Sequence, residues 1–250
     1  MKVIDLNCDM GEGAGQDAEL LPLITSANVA CGFHAGGPEV MRQTVRLARK
    51  HGVAVGAHPS YPDRSGFGRR FMAASTDEVR DDVTYQIGAL WAFCRAEGVP
   101  LTHVKAHGAL YNAAAQDRAL ARAICEATRD VDPTLVMVCL ARSPMAEVAR
   151  ELGLRCAEEA FADRAYTSSG TLVPRGTPGA VIRDPEKVAE RVSMMAREHR
   201  VVAIDGSAIP IDAGTICVHG DTPGAARLVA AIRSRLEADG VAVRPLERPK

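Results

Sequence analysis

The sequence predicts an α/β fold, a single barrel-like domain over residues 1–250. Three observations predict it. Seven short apolar runs each lead, after a loop, into a longer segment of helical period, the alternation expected of a mostly parallel sheet with crossover helices. Polar residues gather where nearly all of those runs end. No internal repeat, low-complexity tract or linker divides the chain, and its 250 residues are ordinary for one α/β barrel.

The candidate strands are Val3–Leu6, Ala27–Cys31, Val53–Ala57, Thr102–Lys105, Leu135–Leu140, Arg155–Glu159 and Thr215–Val218. Seven strands point to an incomplete or distorted barrel. The intervening helices carry start signals. Gly36-Gly37 precede Pro38, after which Val40, Met41, Thr44, Val45 and Ala48 recur with a helical period. Ser75 and Glu78 fit a capping box, and Val79, Val83, Ile87, Leu90, Trp91 and Cys94 then make one apolar face. Asp184-Pro185 and Thr222-Pro223 each place a capping side chain before a proline at the first helical position. The last helix carries Leu228, Val229, Ile232 and Leu236 and stops at Gly240. Val201–Asp205 and Ile209–Asp212, flanking Gly206, predict an extra hairpin.

With 47% hydrophobic and 24% charged residues, a sizeable core is expected. A net charge of -1 points to neither nucleic acid nor an anionic membrane as partner. No apolar run approaches the roughly 20 residues of a membrane helix. Met1–Asp5 runs straight into the first strand without a signal-peptide core, so a cytoplasmic location is expected. There are seven cysteines and no C-x-x-C. Cys8, Cys31, Cys139 and Cys217 lie in or beside apolar runs and read as reduced core residues.

In an α/β barrel the carboxyl ends of the strands share one face, and that face holds the active site. Six polar clusters therefore converge on one cleft. His34, His58, His107 and His219 each follow a strand, and four such histidines together point to proton transfer or metal ligation. His51, His103 and His199 read as surface histidines. Asp9, placed just past the first strand, reads as a cleft residue, and Glu12 as either a cleft residue or a first-turn cap. Lys105 inside an apolar strand needs a carboxylate such as Glu159, or a ligand anion. Asp163 and Arg164 belong either to the cleft or to surface ion pairs. The loop Gly66-Phe67-Gly68-Arg69-Arg70 offers two guanidinium groups to a carboxylate or phosphate. Gly11, Gly13 and Gly15 form a loop able to approach a phosphate, but no P-loop is present.

The segments Asp5–Glu12, Ser26–Gly36, Gly56–Asp63, Gly66–Arg70, His107–Asn112, Phe161–Tyr166 and Cys217–Asp221 resemble, in order, the motifs of the LamB/YcsF family. The one visible departure is Lys105-Ala106-His107, where the family has Lys-Pro-His; it removes no functional group. The resemblance implies a seven-stranded (β/α) barrel similar to polysaccharide deacetylases and related glycoside hydrolases. It also implies cleavage of the cyclic amide 5-oxo-L-proline to L-glutamate, coupled to hydrolysis of ATP with Mg²⁺, alongside two further subunits, B and C. On that reading Asp9, His34, His58, Lys105, His107, Glu159 and His219 are the catalytic candidates. Asn7, Glu12, Arg69, Asp163, Arg164 and Asp221 are the candidates for holding substrate or phosphate. Two rivals stand beside it. One is a metal-dependent amide hydrolase or deacetylase working alone, with Asp9, His34, His58 and His107 as ligands. The other is a non-catalytic subunit that only binds a ligand. The sequence leaves open whether a metal is bound.

Overall fold

The computed structural model describes residues 2–220 and 224–248. In chain order the elements are β1 (Val3–Met10), α1 (Asp17–Leu20), β2 (Ser26–Ala30), α2 (Pro38–His51), β3 (Ala54–His58), α3 (Thr76–Ala96), β4 (Leu101–Lys105), α4 (Gly108–Ala114) and α5 (Arg118–Val131). There follow β5 (Val136–Leu140), α6 (Pro144–Glu151), β6 (Cys156–Phe161), α7 (Pro185–Glu198), β7 (Arg200–Val202), β8 (Ala208–Pro210), β9 (Thr215–Cys217), α8 (Ala225–Ala238) and β10 (Ala242–Val243). The predicted hairpin is the antiparallel pair β7–β8.

Seven parallel strands run in the order β1-β2-β3-β4-β5-β6-β9, and β9 pairs back onto β1. The barrel is therefore closed, which rules out the incomplete form among the incomplete or distorted barrels the strand count pointed to. Thr215, Ile216 and Cys217 make the seal, paired with Glu159, Ala160 and Phe161 on one side and with Asp5, Leu6 and Asn7 on the other. β10 adds to the start of β1 through Val3 and Ile4.

The first strand runs to Met10, four residues past its apolar run, and its pleat explains why. Ile4, Leu6, Cys8 and Met10 alternate with Asp5, Asn7 and Asp9, and alternate residues point to opposite faces of a strand. The even set is buried in the main core; the odd set faces the barrel interior, where its partners lie on other strands. Asp9 is thus an interior residue of β1, not a residue beyond its end. Neighbours in register share a face, so Ser26, Asn28, Gly56, His103, Lys105, Glu159 and Thr215 also point inward. Val136, Val138 and Ala157 close the amino-terminal end of the interior, with Leu246 packed against them.

The Ser75–Glu78 capping box and the Asp184 cap before Pro185 are both present. The Thr222-Pro223 start lies outside the described residues. Two sequence expectations are corrected. His103, read as a surface residue, is fully buried, because it faces inward from β4 and the sequence does not reveal strand facing. Trp91 is 40% exposed: in that turn of α3 the buried stripe runs through Ile87, Leu90 and Cys94, and Trp91 lies at its edge. No helix among the described residues is long and apolar enough to cross a membrane. Their cysteines, all seven, are free, with only Cys156 incompletely buried.

Candidate active site

The barrel interior is a polar column. At its base the Asp5 carboxylate accepts from the hydroxyls of Thr25, Ser26 and Thr215. In the next layer His103 contacts Asn28 Oδ1 through Nε2 at 2.9 Å, and Asn28 donates to Asn7 Oδ1 and Asp9 Oδ1 at 2.8 and 2.9 Å. Asn7 in turn donates to Glu159 at 2.9 Å. Each polar side chain thus orients the one above it, which suits a desolvated interior where unpaired groups are costly.

At the top of the column sits Lys105. Its Nζ lies 2.8 Å from Glu159 Oε1 and 3.2 Å from Asp9 Oδ1. Burial works against its charge, but Asp9, Cys217 and Glu159 outweigh that and hold its pKa well above the ordinary value. Burial likewise works to neutralise Asp9, but His58 and Lys105 beside it keep its carboxyl well below the usual range. Tyr111 donates its hydroxyl to Glu159 Oε2 at 2.7 Å.

Beside Asp9 three imidazoles surround Glu12. Glu12 Oε1 is 2.8 Å from His34 Nε2, 3.2 Å from His107 Nδ1 and 3.8 Å from His58 Nε2. The His34 and His107 rings stack with centroids 3.8 Å apart. Burial lowers His34 to about 4. Burial would raise Glu12, but the His107 and His34 rings beside it bring it to about 2. The loop carrying Phe67 is fixed by close backbone approach. Gly108 has φ +57, and a Cβ there would sit 2.5 Å from the Gly68 carbonyl. With glycine, Ala109 N–H donates to that carbonyl at 2.8 Å, which places the Phe67 carbonyl 2.9 Å from His107 Nε2.

These groups open onto a cavity of about 420 Å³. Its other wall is cationic and aromatic: Arg69, Arg164, Arg175, Phe161 and His219 all line it. Arg69 lies over the Phe67 ring. Arg164 is 8% exposed, donates one Nη2 bond to Val173 O, and has an Nε without a partner among the described residues. Burial and the nearby charge of Arg175 both lower the pKa of Arg164. His219 stacks on Phe161, and its Nδ1 lies 2.8 Å from the buried Asp163 carboxylate. A carboxylate only accepts, so Nδ1 carries the proton and Nε2 is left with a lone pair.

The structure thus brings Asp9, Glu12, His58, His107, Lys105 and His219 to one cavity, with Arg69 and Arg164 on its wall. His34, Asn7 and Glu159 lie behind this surface, and Asp163 behind His219. Asp221 falls outside the described residues. The fourth group meeting the three clustered histidines is Glu12; Asp9, suggested by the sequence, stands alongside, 3.3 Å from His58 Nε2. The Gly11 N–H is taken by the Asp17 carboxylate at 2.8 Å, so an acid occupies the glycine loop read as a possible phosphate cradle. Sequence reasoning gave no site role to Asn28, Ser60, Tyr111, Phe161 or Arg175, although all but Arg175 lie in the segments that resemble the family. Asn28 left a usable signal, an amide in the middle of an apolar strand.

The closed parallel barrel has the fold of the deacetylase-type α/β barrels. A T48 deacetylase solved with substrate superposes with a TM-score of 0.52 over 98% of this chain and 88% of that one, at 13% identity, a likeness of fold. Much nearer is a lactam utilization protein from Thermus thermophilus, with a TM-score of 0.92 and 53% identity over 98% of this chain and 99% of that one. The LamB/YcsF family profile matches residues 4–250, and the chain belongs to that family. Among curated relatives, the A subunit of 5-oxoprolinase from Pyrococcus furiosus is 55% identical over 97% of each chain. The protein of the same name from Syntrophobacter fumaroxidans is 53% identical over 96% of each.

Proposed function

We propose that this chain, working as one unit over residues 1–250, is the ring-opening subunit of an ATP-dependent 5-oxoprolinase. The observation that carries the reading is its end-to-end similarity to relatives named as the A subunit of 5-oxoprolinase. The cavity supplies what the reaction requires. A five-membered lactam is an unactivated amide that recloses readily, so its opening needs coupling to ATP. Transfer of a phosphoryl group to the lactam oxygen makes the ring carbon electrophilic. Water then adds at that carbon and the carbon–nitrogen bond breaks as the ring nitrogen takes up a proton to become the amine, leaving an acyl phosphate; a second water displaces phosphate from it to give glutamate.

Arg164, Arg175 and Arg69 form the wall suited to the substrate carboxylate or to phosphate. The orphaned Nε of buried Arg164 marks where an anion completes the hydrogen bonding. His219 is the general base: Asp163 fixes its tautomer and leaves Nε2 free to take a proton from water. Lys105, held charged by Asp9 and Glu159, stabilises negative charge developing on oxygen. ATP and Mg²⁺ act with the partner subunits B and C, because the chain has no P-loop and its glycine loop is closed by Asp17. The complex is assigned to the cytoplasm. The deacetylase likeness, at 13% identity, gives no support to a stand-alone deacetylase.

The test is glutamate release from 5-oxoproline with Mg-ATP, by this chain with and without subunits B and C. Turnover is expected only in the complex, and is expected to be lost in His219→Gln with assembly intact. Comparable release by the isolated chain would overturn the division of labour. An unchanged rate in the variant would overturn the base.

A further inference from the structure

Two of the clustered histidines have their tautomers dictated by backbone carbonyls, which only accept. His58 Nδ1 lies 2.7 Å from the Lys105 carbonyl and His107 Nε2 lies 2.9 Å from the Phe67 carbonyl. Each ring therefore spends its N–H on the surrounding backbone. The remaining nitrogens, His58 Nε2 and His107 Nδ1, then face each other 3.0 Å apart. Two lone pairs at that separation repel unless a positive charge lies between them. His34 completes the same pattern. Ser60 Oγ lies 2.9 Å from the Tyr61 carbonyl and 3.0 Å from His34 Nδ1. With the hydroxyl donated to that carbonyl, Ser60 accepts from Nδ1, and His34 Nε2 points its lone pair toward Glu12.

We propose that Glu12, His34, His58 and His107 form a site for one first-row divalent cation of the zinc, cobalt(II) or iron(II) type. The four ligand atoms lie within 4.8 Å of one another. The shorter separations among them, 2.8 to 3.2 Å, fall near the roughly 3.3–3.5 Å edge of a tetrahedron with metal–ligand bonds of about 2.0–2.1 Å. A three-imidazole, one-carboxylate set selects this class over Mg²⁺ or Ca²⁺, which require oxygen ligands. Carbonyls on the outer ring nitrogens are the usual outer support of metal-bound histidine: they fix ring orientation and raise ligand basicity. Glu12, His58 and His107 line the cavity while His34 is buried behind them, so a bound cation faces the space assigned to the lactam.

This inference goes beyond the oxoprolinase reading and is tested without nucleotide or lactam. The isolated full chain is stripped with a chelator and titrated with Co²⁺, following the visible absorption of four-coordinate cobalt and the bound stoichiometry. One Co²⁺ per chain is expected, displaced by Zn²⁺ and not by a large excess of Mg²⁺. Glu12→Gln and His107→Gln are each expected to weaken binding at least about tenfold while retaining a cooperative unfolding transition. Should His107→Gln fail to fold, Glu12→Gln carries the comparison, since its side chain reaches the cavity surface. Absence of a saturable cobalt spectrum in folded chain overturns the site, as does unchanged affinity in Glu12→Gln. Loss of metal binding with intact glutamate release, or the reverse, separates this site from the proposed reaction.

Discussion

Replacing Gly56 with alanine probes the packing beneath the candidate site. Gly56 and His103 are register partners on β3 and β4, and a Cβ on Gly56 would sit 2.1 Å from the Cδ2 and Nε2 atoms of the imidazole, far inside contact distance. The ring has nowhere favourable to go. His103 is fully buried, its Nε2 contacts Asn28 Oδ1, and its Nδ1 has no partner among the described residues. Moving it leaves the Asn28 carbonyl oxygen unpaired in the interior. Overpacking of this kind costs roughly 1–3 kcal/mol, and an orphaned buried acceptor costs roughly 1–3 kcal/mol more. At about 2–4 °C per kcal/mol for a chain of this size, Tm is expected to fall by roughly 4–24 °C. Calorimetry on Gly56→Ala, His103→Ala and the double variant makes the test. In the double variant the alanine methyl occupies space the ring has vacated, so the loss is expected to be smaller than the sum of the two singles by about 1 kcal/mol or more. A Gly56→Ala protein melting within about 1 °C of the unchanged chain, or strict additivity, would refute the reasoning.

Glu159→Gln removes the carboxylate nearest buried Lys105. An ion pair broken on one side costs about 3–5 kcal/mol, so urea unfolding showing a loss below about 1 kcal/mol would contradict the pairing. Burial raises Asp5 to about 6, outweighing its hydrogen bonds to Ser26, Thr215 and Thr25. A folded-state pKa above the unfolded value means a contribution fully present below about pH 4 and lost as pH rises through about 6. Relative to Asp5→Asn, the unchanged chain is therefore expected to gain about 3 kcal/mol between pH 7 and pH 4, and a pH-independent difference would sink the argument. Arg175 is exposed at the cavity rim. Arg175→Ala is expected to raise KM for 5-oxoproline severalfold in the reconstituted enzyme while changing stability by less than about 0.5 kcal/mol; an unchanged KM removes it from the anion wall.

The strand positions were legible because the outward faces of the strands, packed against helices, are apolar enough to announce themselves. The same rule truncated β1, since Asn7 and Asp9 face inward and carry polar side chains. Closure was not legible: β9 spans only Thr215–Cys217, too short to reveal two partners. The four strand-end histidines could be placed at one end of the barrel, since each follows an apolar run. Their partition into a Glu12-centred trio and a separate Asp163–His219 pair depends on side-chain facing across strands far apart in sequence. His103 shows the limit most clearly. A histidine set between Thr102 and Val104 looks superficial until strand register turns it inward over a glycine.

The seal of the barrel also has a consequence for how the protein is made. Asn7 donates to Thr215, 208 residues away in the chain, and β1 has one neighbour, β2, among the first strands to leave the ribosome. Its other long edge has no permanent occupant until β9 emerges. At about 5–20 residues per second that delay is roughly 10–40 s. Throughout it, a strand bearing two aspartates and an asparagine on one face and Ile4, Leu6, Cys8 and Met10 on the other remains half-paired. Closure of this barrel thus waits until residues 215–217 have emerged, and one long edge of β1 stays open until then.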